Sequence, residues 1–213
     1  MSSRGTFIAI EGLDGSGGTT QVRMLATWLT HAGQAVHTTR EPTDGPVGRL
    51  IRRSLQPDDP ASVLSDAVLP LLFAADRRDH IDRIVGPALA SGTTVISDRY
   101  VPSSLAYQGL TIGVADAFGL NAAFPAPDLT VVLDVPPAEC MRRIVARGGT
   151  LERFEDVDRL AAIRSCYETG LEMLEARGDR ILRVDGTQDV ETVARRIAEA
   201  VGQVQERAAS RRV

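Results

Sequence analysis

Apolar stretches rich in β-branched residues alternate along this chain with segments in which apolar residues recur at helical spacing. The apolar stretches predict five strands, at 6–11, 35–39, 93–98, 129–134 and 181–184. The helical spacing predicts helices near 19–32, 47–55, 62–90 with one break allowed, 101–109, 114–123, 137–147, 156–177 and 189–208. In the first helix, Val22, Leu25, Trp28 and Leu29 form the stripe expected to face the core.

This alternation predicts an α/β fold, with a parallel five-stranded sheet covered by helices on both faces. We expect a single domain over 1–213, since this length suits one core and neither a repeat nor a low-complexity tract divides the chain. Ligands of such sheets bind at the carboxyl ends of the strands. The candidate site segments are therefore 12–20, 40–42 and 98–100, which follow the first three strands.

The turn after the first strand matches the phosphate-binding loop pattern G-x-x-x-x-G-K-[ST] except at one position. Gly12, Gly17 and Thr19 fit the pattern, but Gly18 stands where it has lysine. Glycines let the backbone N–H groups turn inward, and the following helix adds unpaired donors, so the loop can bind a polyphosphate without an ammonium group. Thr19 has the hydroxyl expected to reach a Mg²⁺ ion on the phosphates. A glycine-rich turn without a ligand is the alternative.

Charge and composition exclude several classes of protein. The chain has 24 Lys and Arg against 28 Asp and Glu, a net charge of −4, so it lacks the overall basic character of nucleic-acid binders. Cys140 and Cys166 have the spacing of neither a zinc site nor a disulfide framework, and no apolar run reaches the roughly 20 residues of a membrane span. We expect a cytoplasmic protein that binds neither nucleic acid nor membrane.

Several segments together resemble the thymidylate kinase family, and the resemblance extends through nearly the whole chain. They are Phe7–Thr20 apart from Gly18, Thr39-Arg40-Glu41-Pro42, Leu72-Phe73-Ala74-Ala75-Asp76-Arg77, Asp98-Arg99-Tyr100, Ser103-Ser104-Leu105-Ala106-Tyr107-Gln108-Gly109, Pro127-Asp128-Leu129-Thr130 and Arg142–Gly148. The stretch 103–109 is the most specific. The chain departs from the family at Gly18, at 43–45, where a double glycine is common, and in its short lid.

The resemblance implies a P-loop NTPase-type fold that transfers the γ-phosphoryl group of ATP to dTMP with the help of Mg²⁺, giving dTDP and ADP. It also implies a homodimer, with the helix from Ser62 to Leu89 at the interface. The implied partners are thus ATP, dTMP and a second copy of the chain.

On the donor side, the resemblance implies contacts with ATP from the loop and from one arginine at the start of the lid. These residues are Gly12, Leu13, Asp14, Gly15, Ser16, Gly17, Gly18, Thr19, Thr20 and Arg143. Thr19 and Asp98 are the implied metal-binding residues, and Asp98 ends an apolar strand in the manner of a Walker B aspartate. Asp14 lies near the acceptor phosphate, where it positions the attacking oxygen rather than removing a proton. Turn or cap roles are the alternative for both carboxylates.

On the acceptor side, the resemblance implies contacts with each part of dTMP. They are Phe73 and Ser104 for the base, Arg77 and Gln108 for base and phosphate, Glu41 and Tyr107 for the deoxyribose, and Arg52 and Arg99 for the phosphate. A guanidinium such as that of Arg99 can hold a phosphate bidentately. Arg49 and Arg53 are alternatives to Arg52. A flat apolar ring suits stacking on thymine, and core packing is the alternative for Phe73.

Without a lysine in the loop, another cation is needed beside the transferring phosphoryl group. Loss of one preorganised donor costs of order 3 kcal/mol, or ~10²–10³ in rate, whereas an arginine at a transferring phosphoryl group is worth roughly 10³–10⁵. The short lid predicted at 142–154 is rich in arginine. Arg147 and Arg153 therefore join Asp14 and Arg99 as candidate catalytic residues.

Three interpretations of the activity remain open from the sequence. An active dTMP kinase is favoured, because the acceptor-side residues from Glu41 to Gln108 are present together. A nucleotide-binding pseudokinase with a regulatory role is the alternative that Gly18 motivates. A kinase for another nucleoside monophosphate is the third, since residue types alone do not specify the base.

Overall fold

The computed structural model describes residues 4–56, 64–148 and 156–210 and confirms the predicted α/β fold. Its strands are β1 (Phe7–Gly12), β2 (Val36–Arg40), β3 (Thr94–Asp98), β4 (Leu129–Asp134) and β5 (Ile181–Asp185). They form one parallel sheet in the order β2-β3-β1-β4-β5. All five lie within a residue or so of their predicted positions.

Helices connect the strands. They are α1 (Gly18–His31), α2 (Pro46–Leu55), α3 (Leu69–His80), α4 (Gly86–Ala90), α5 (Val101–Tyr107), α6 (Gly109–Ile112), α7 (Val114–Asn121), α8 (Pro137–Arg147), α9 (Val157–Arg177) and α10 (Val190–Ser210). A π-helical segment, Ile81–Val85, joins α3 to α4. None of the described helices combines the length and the apolar character that crossing a membrane requires.

The predicted helix over 62–90 begins later than expected. Residues 64–68 are not helical, while 62 and 63 lie outside the described residues. Pro70 lies in the first turn of α3, where its missing N–H costs nothing. An earlier start would place the proline ring against the carbonyl of Asp66, which a continuous helix does not tolerate.

The core lies on both faces of the central strand, whose six residues are all buried. Ile8 and Ile10 face α1 and α10, whereas Phe7 and Ala9 face the layer formed by the π-helical segment, α5 and α9. This arrangement explains why β1 is apolar at successive positions rather than at alternate ones.

Helix α1 follows its predicted stripe with one exception. Val22, Leu25 and Leu29 are buried, but Trp28 is 43% exposed, so the prediction that it packs in the core was wrong. At 100° per residue, position 28 lies on the flank of the buried stripe rather than at its centre.

The strand register brings the candidate segments to one edge of the sheet. Ile10 pairs with Asp98, and Asp98 pairs with Arg40 on its other side. The loop after β1 and the residues after β2 and β3 consequently meet at the carboxyl edge, as the topology of a parallel sheet requires.

Helix α9 approaches α5 closely at Gly170. A Cβ atom there would lie 2.8 Å from Cβ of Leu105, a fully buried side chain. Helix α5 begins beside the carboxyl edge of the sheet, so this contact supports the floor of the candidate site.

We expect Gly170→Ala to lower the free energy of unfolding by about 1–3 kcal/mol, because the added methyl group overpacks this contact. Gly202→Ala in α10 is the matched control, since a Cβ there meets nothing within 4 Å. That substitution should raise stability by about 0.5–1 kcal/mol through the higher helix propensity of alanine. Denaturant unfolding measures both, and equal stabilisation by the two substitutions would contradict the packing argument.

Candidate functional site

A cavity of about 1110 Å³ opens at the carboxyl edge of the sheet. Its walls are the glycine-rich loop, the ends of β2 and β3, and parts of α2 and α8. Many of the predicted site residues line it. They are Gly12–Thr20, Glu41, Arg52, Asp98, Arg99, Arg143 and Arg147.

The glycine-rich loop depends on backbone conformations that favour glycine. Gly15 and Gly17 have φ of 81° and 100°, in the left-handed region. A Cβ on Gly15 would also lie 2.5 Å from the carbonyl oxygen of Cys140 in α8. Helix α1 begins at Gly18, so its first N–H groups and the positive end of its dipole lie at the loop. The loop can therefore receive an anion through its backbone.

Thr19 and Asp98 come together as predicted metal-binding residues. Oγ1 of Thr19 donates a 2.6 Å hydrogen bond to Oδ2 of Asp98. A hydroxyl and a carboxylate are hard oxygen donors, and they suit a Mg²⁺ ion that takes its remaining ligands from phosphates and water. Within the described ranges no cluster of three or more His, Cys, Asp and Glu side chains could hold a metal ion by itself. The donor set thus fits a substrate-dependent Mg²⁺ site.

The position that a side chain at residue 18 would occupy lies close to the Asp98 carboxylate. A Cβ at position 18 would lie 3.3 Å from Oδ1 of that carboxylate, and the φ of Gly18 is not positive. The backbone would therefore accept a side chain at position 18 without strain, once the Asp98 carboxylate had shifted slightly. This is the space that a loop lysine would occupy.

Arg99 links the loop to the segment after β3. Its Nη2 donates to Oδ1 of Asp14 at 2.7 Å, and its Nη1 donates to the carbonyl oxygen of Gly12. The guanidinium also lies over the Tyr107 ring, 5.4 Å from the centroid. Burial acts to lower the pKa of Arg99, but the neighbouring tyrosine and carboxylate groups raise it well above its usual value. The cation therefore stays charged beside Asp14.

Three residues that sequence reasoning missed hold this arrangement in place: Glu11, Ser103 and Tyr167. Glu11 is buried, and its Oε2 accepts hydrogen bonds from the hydroxyls of Ser103 at 2.6 Å and Tyr167 at 2.9 Å. The Tyr167 hydroxyl in turn accepts from Nη1 of Arg99 at 3.0 Å. Burial raises the pKa of Glu11, although the charge of Arg99 and these hydrogen bonds act to lower it.

A carboxylate at the end of an otherwise apolar strand was the available signal for Glu11. Ser103 lies inside the family-like stretch 103–109 but has no local feature that marks it. Tyr167 comes from α9, 156 residues away from Glu11, and nothing local in the sequence links the two.

Several predicted acceptor residues form a buried cluster centred on Arg77. The Arg77 guanidinium pairs with Oε2 of Glu41 at 2.7 Å and donates to Oγ of Ser104 at 2.9 Å and to Oδ1 of Asn121. His80 contacts the other oxygen of Glu41 through Nδ1 at 2.9 Å. Glu41, Arg77 and Ser104 are thus brought together, with each engaged by protein groups.

The remaining acceptor residues lie near this cluster but do not line the large cavity. Phe73 is half-buried on α3. The Tyr107 hydroxyl accepts a 3.1 Å hydrogen bond from the backbone N–H of Asp14. Gln108 is buried, and its Oε1 has no hydrogen-bond partner within the described residues. An unsatisfied buried amide oxygen costs about 1–3 kcal/mol, which a ligand donor would recover.

The predicted cationic residues differ in their contacts with the rest of the protein. Arg52 donates to the carbonyl oxygen of Pro42 at 2.9 Å. Arg143 donates to Glu139 at 2.7 Å and lies against the loop, 3.4 Å from the Ser16 carbonyl oxygen. Arg147 lines the cavity from the end of α8, whereas Arg153 lies outside the described residues.

We expect Arg77→Ala to lower the free energy of unfolding by about 3–5 kcal/mol, because it leaves the buried Glu41 carboxylate without its partner. Arg78→Ala is the control on the same helix: Arg78 pairs with Asp82, and both side chains are more than half exposed. That variant should unfold at nearly the wild-type denaturant concentration. Similar shifts in the two midpoints would contradict the assignment of a buried ion pair.

Comparison with known proteins gives a consistent result. The sequence model of the family described as "Thymidylate kinase" matches residues 10–197. The chain is 46% identical to a "Probable thymidylate kinase" of Pyrococcus horikoshii over 162 residues, which cover 74% of this chain and 78% of that protein. It is 38% identical to a "Thymidylate kinase" of Ruegeria pomeroyi over 206 residues, covering 94% and 96%. It is 40% identical to a "Thymidylate kinase" of Xanthomonas oryzae pv. oryzae over 197 residues, covering 90% and 80%. The chain therefore belongs to the thymidylate kinase family.

Proposed function

We propose that this protein transfers the γ-phosphoryl group of ATP to dTMP, giving dTDP and ADP. The observation that carries the proposal is one cavity that contains the anion-binding loop, the Thr19–Asp98 pair and the Arg99–Asp14 pair. Donor and acceptor phosphates can both reach these groups. The names of the relatives, all thymidylate kinases, support dTMP as the acceptor.

The loop is proposed to bind the β- and γ-phosphates of ATP through its backbone N–H groups. A Mg²⁺ ion bound at Thr19 and Asp98 would neutralise part of the phosphate charge. Arg143 lies beside Ser16 and donates to the carbonyl oxygen of Gly186, which supports a place for it along the bound nucleotide.

Arg99 is proposed to hold the 5′-phosphate of dTMP while Asp14 keeps the guanidinium in place. A phosphate oxygen of dTMP attacks the γ-phosphorus, the bond from that phosphorus to the β,γ-bridging oxygen breaks, and ADP leaves with the electron pair. The attacking oxygen is already ionised at neutral pH, so no strong general base is needed. The 2.7 Å contact between Arg99 and Asp14 supports positioning as the main contribution of both side chains.

Recognition of the base is proposed to involve Gln108, Ser104 and Arg77, with Phe73 stacked on the ring. The unpartnered Oε1 of Gln108 supports this role, because the N3–H of thymine is a donor that could satisfy it. The buried Glu41–Arg77 ion pair holds the donors of the guanidinium in fixed directions. Glu41 and Tyr107 are proposed to lie beside the deoxyribose, and Arg52 beside the phosphate.

Lid arginines are proposed to complete the charge around the transferring group. Arg147 lines the cavity, which supports its action from the α8 side. Arg153 is proposed for the same role from its place in the predicted lid at 142–154. Because charge develops on the transferring phosphoryl oxygens, a guanidinium here acts mainly on turnover.

We expect the purified protein to form dTDP when supplied with ATP, Mg²⁺ and dTMP, and chelation of the metal with EDTA to abolish the reaction. Product chromatography measures both. Parallel reactions with dUMP, dCMP and dGMP test the choice of base, and dTMP should be the preferred acceptor. Binding of ATP and dTMP in calorimetry with no dTDP above background would overturn the proposal and favour a nucleotide-binding pseudokinase.

A homodimer through α3 is proposed as well. Leu71 and Val68 are 56% and 38% exposed at the start of this helix, which supports an apolar contact between copies. We expect sedimentation velocity to show a dimer for the wild-type protein and a monomer for Leu71→Asp. Val190→Asp, at a valine that is 44% exposed on α10, is the control and should remain dimeric. A wild-type monomer, or an unchanged Leu71→Asp dimer, would contradict the interface.

A further inference from the structure

The loop lacks its lysine, but the carboxylate beside the vacated space is still present. Oδ2 of Asp98 accepts from Thr19, whereas Oδ1 faces the Cβ position of Gly18 at 3.3 Å. Across 4–56, 64–148 and 156–210, Oδ1 has neither a hydrogen-bond nor an ion-pair partner. A site for a triphosphate thus keeps a negative group without the cation that would normally lie next to it.

Most arginines that line the cavity already have a carboxylate partner. These ion pairs are Arg40–Asp44, Arg52–Asp44, Arg99–Asp14 and Arg143–Glu139. Each of these arginines would have to leave or share its carboxylate partner in order to bind the β- and γ-phosphates. A cation without such a commitment is better suited to the vacated space.

Arg23 is a cation of this kind. It lies one turn after Thr19 on α1, and its Nε donates to the carbonyl oxygen of Thr19 at 3.3 Å. The side chain therefore runs back toward the start of the helix, the usual direction for long helical side chains. Arg23 lines the cavity with Gly18, Thr19 and Asp98. Within the described part of the chain its two terminal nitrogens have no hydrogen-bond or ion-pair partner.

We propose that Arg23 supplies the positive charge missing at Gly18, by contacting the β- and γ-phosphate oxygens of ATP from the α1 side. A guanidinium is bulkier than an ammonium group and presents paired donors that match phosphate oxygens. Because position 18 carries no side chain, nothing from that residue crowds Asp98 or competes with the guanidinium in the cavity that Arg23, Gly18 and Asp98 line together. Glycine at 18 and arginine at 23 thus act as a pair, which separates this role from that of Arg147 on α8.

This inference rests on the proposed function, because ATP is its ligand. The experiment compares the wild-type protein with Arg23→Ala, Gly18→Lys and the double variant, with ATP varied at saturating dTMP and then dTMP varied at saturating ATP. We expect Arg23→Ala to lower kcat/KM for ATP about 10²-fold, the usual effect of removing one preorganised donor, and to leave KM for dTMP unchanged. Gly18→Lys should restore most of this loss in the double variant.

Two controls make the result specific. Arg83→Ala removes a 74% exposed arginine from the neighbouring cavity that Arg23 also lines, and it should behave as wild type. Arg147→Ala should also lose turnover, but Gly18→Lys should not rescue it, because Arg147 lines the cavity from α8 rather than from α1. Thermal melting of every variant separates loss of function from loss of folding.

The outcomes separate the two proposals. An inactive wild-type protein would overturn the proposed kinase activity, and calorimetry with MgATP then tests Arg23, since weaker binding by Arg23→Ala than by wild type is still expected. Wild-type kinetics in a folded Arg23→Ala variant, or equal MgATP affinities, would overturn the role of Arg23. A loss that Gly18→Lys fails to rescue would overturn the idea that arginine replaces the lysine charge.

Discussion

The candidate site depends on a buried carboxylate, that of Glu11. It lies next to the last residue of the central strand, and its oxygens accept from the backbone N–H of Tyr100 at 2.6 Å and from the hydroxyls of Ser103 and Tyr167. One side chain thereby ties β1, the start of α5 and the middle of α9 together. Because a buried carboxylate without partners is costly, these elements cannot separate independently. The same network fixes the position of Arg99, because the Tyr167 hydroxyl accepts a hydrogen bond from its Nη1.

The charged side chains that line the cavity are spread over many elements of the fold. Asp14 and Asp98 face it from the loop and from β3, while the arginines come from α1, α2, α8, the end of β2 and the segment after β3. A triphosphate that enters must therefore be neutralised by groups from several elements rather than by the loop alone. In such a site the geometry between elements matters more than any single basic residue, which makes the network beneath Arg99 important for chemistry as well as for stability.

Local sequence patterns were sufficient to predict the fold and the position of the candidate site. Apolar stretches located all five strands, and the parallel sheet brought the segments after β1, β2 and β3 to one edge. The errors have local causes: Pro70 delays the start of α3, and Trp28 lies on the flank of its helix. Residue spacing could not predict the cluster around Arg77 or the hydrogen bond from Tyr167 to Glu11. Both depend on contacts between segments that are distant in the sequence. The individual roles of the site residues stay predictions.

The close approach of Gly15 to the Cys140 carbonyl has a mechanical consequence. The Gly15 backbone packs closely against the Cys140 carbonyl group, with the Ile144 side chain of α8 beside the contact, so little room is left to absorb a displacement. Since close-packed interiors transmit strain, a shift of the loop by a fraction of an ångström is passed to the start of α8. The second half of this helix, residues 142–147, already belongs to the predicted lid. A displacement of the loop is therefore expected to be transmitted through the main chain of α8 as far as its last residue, Arg147.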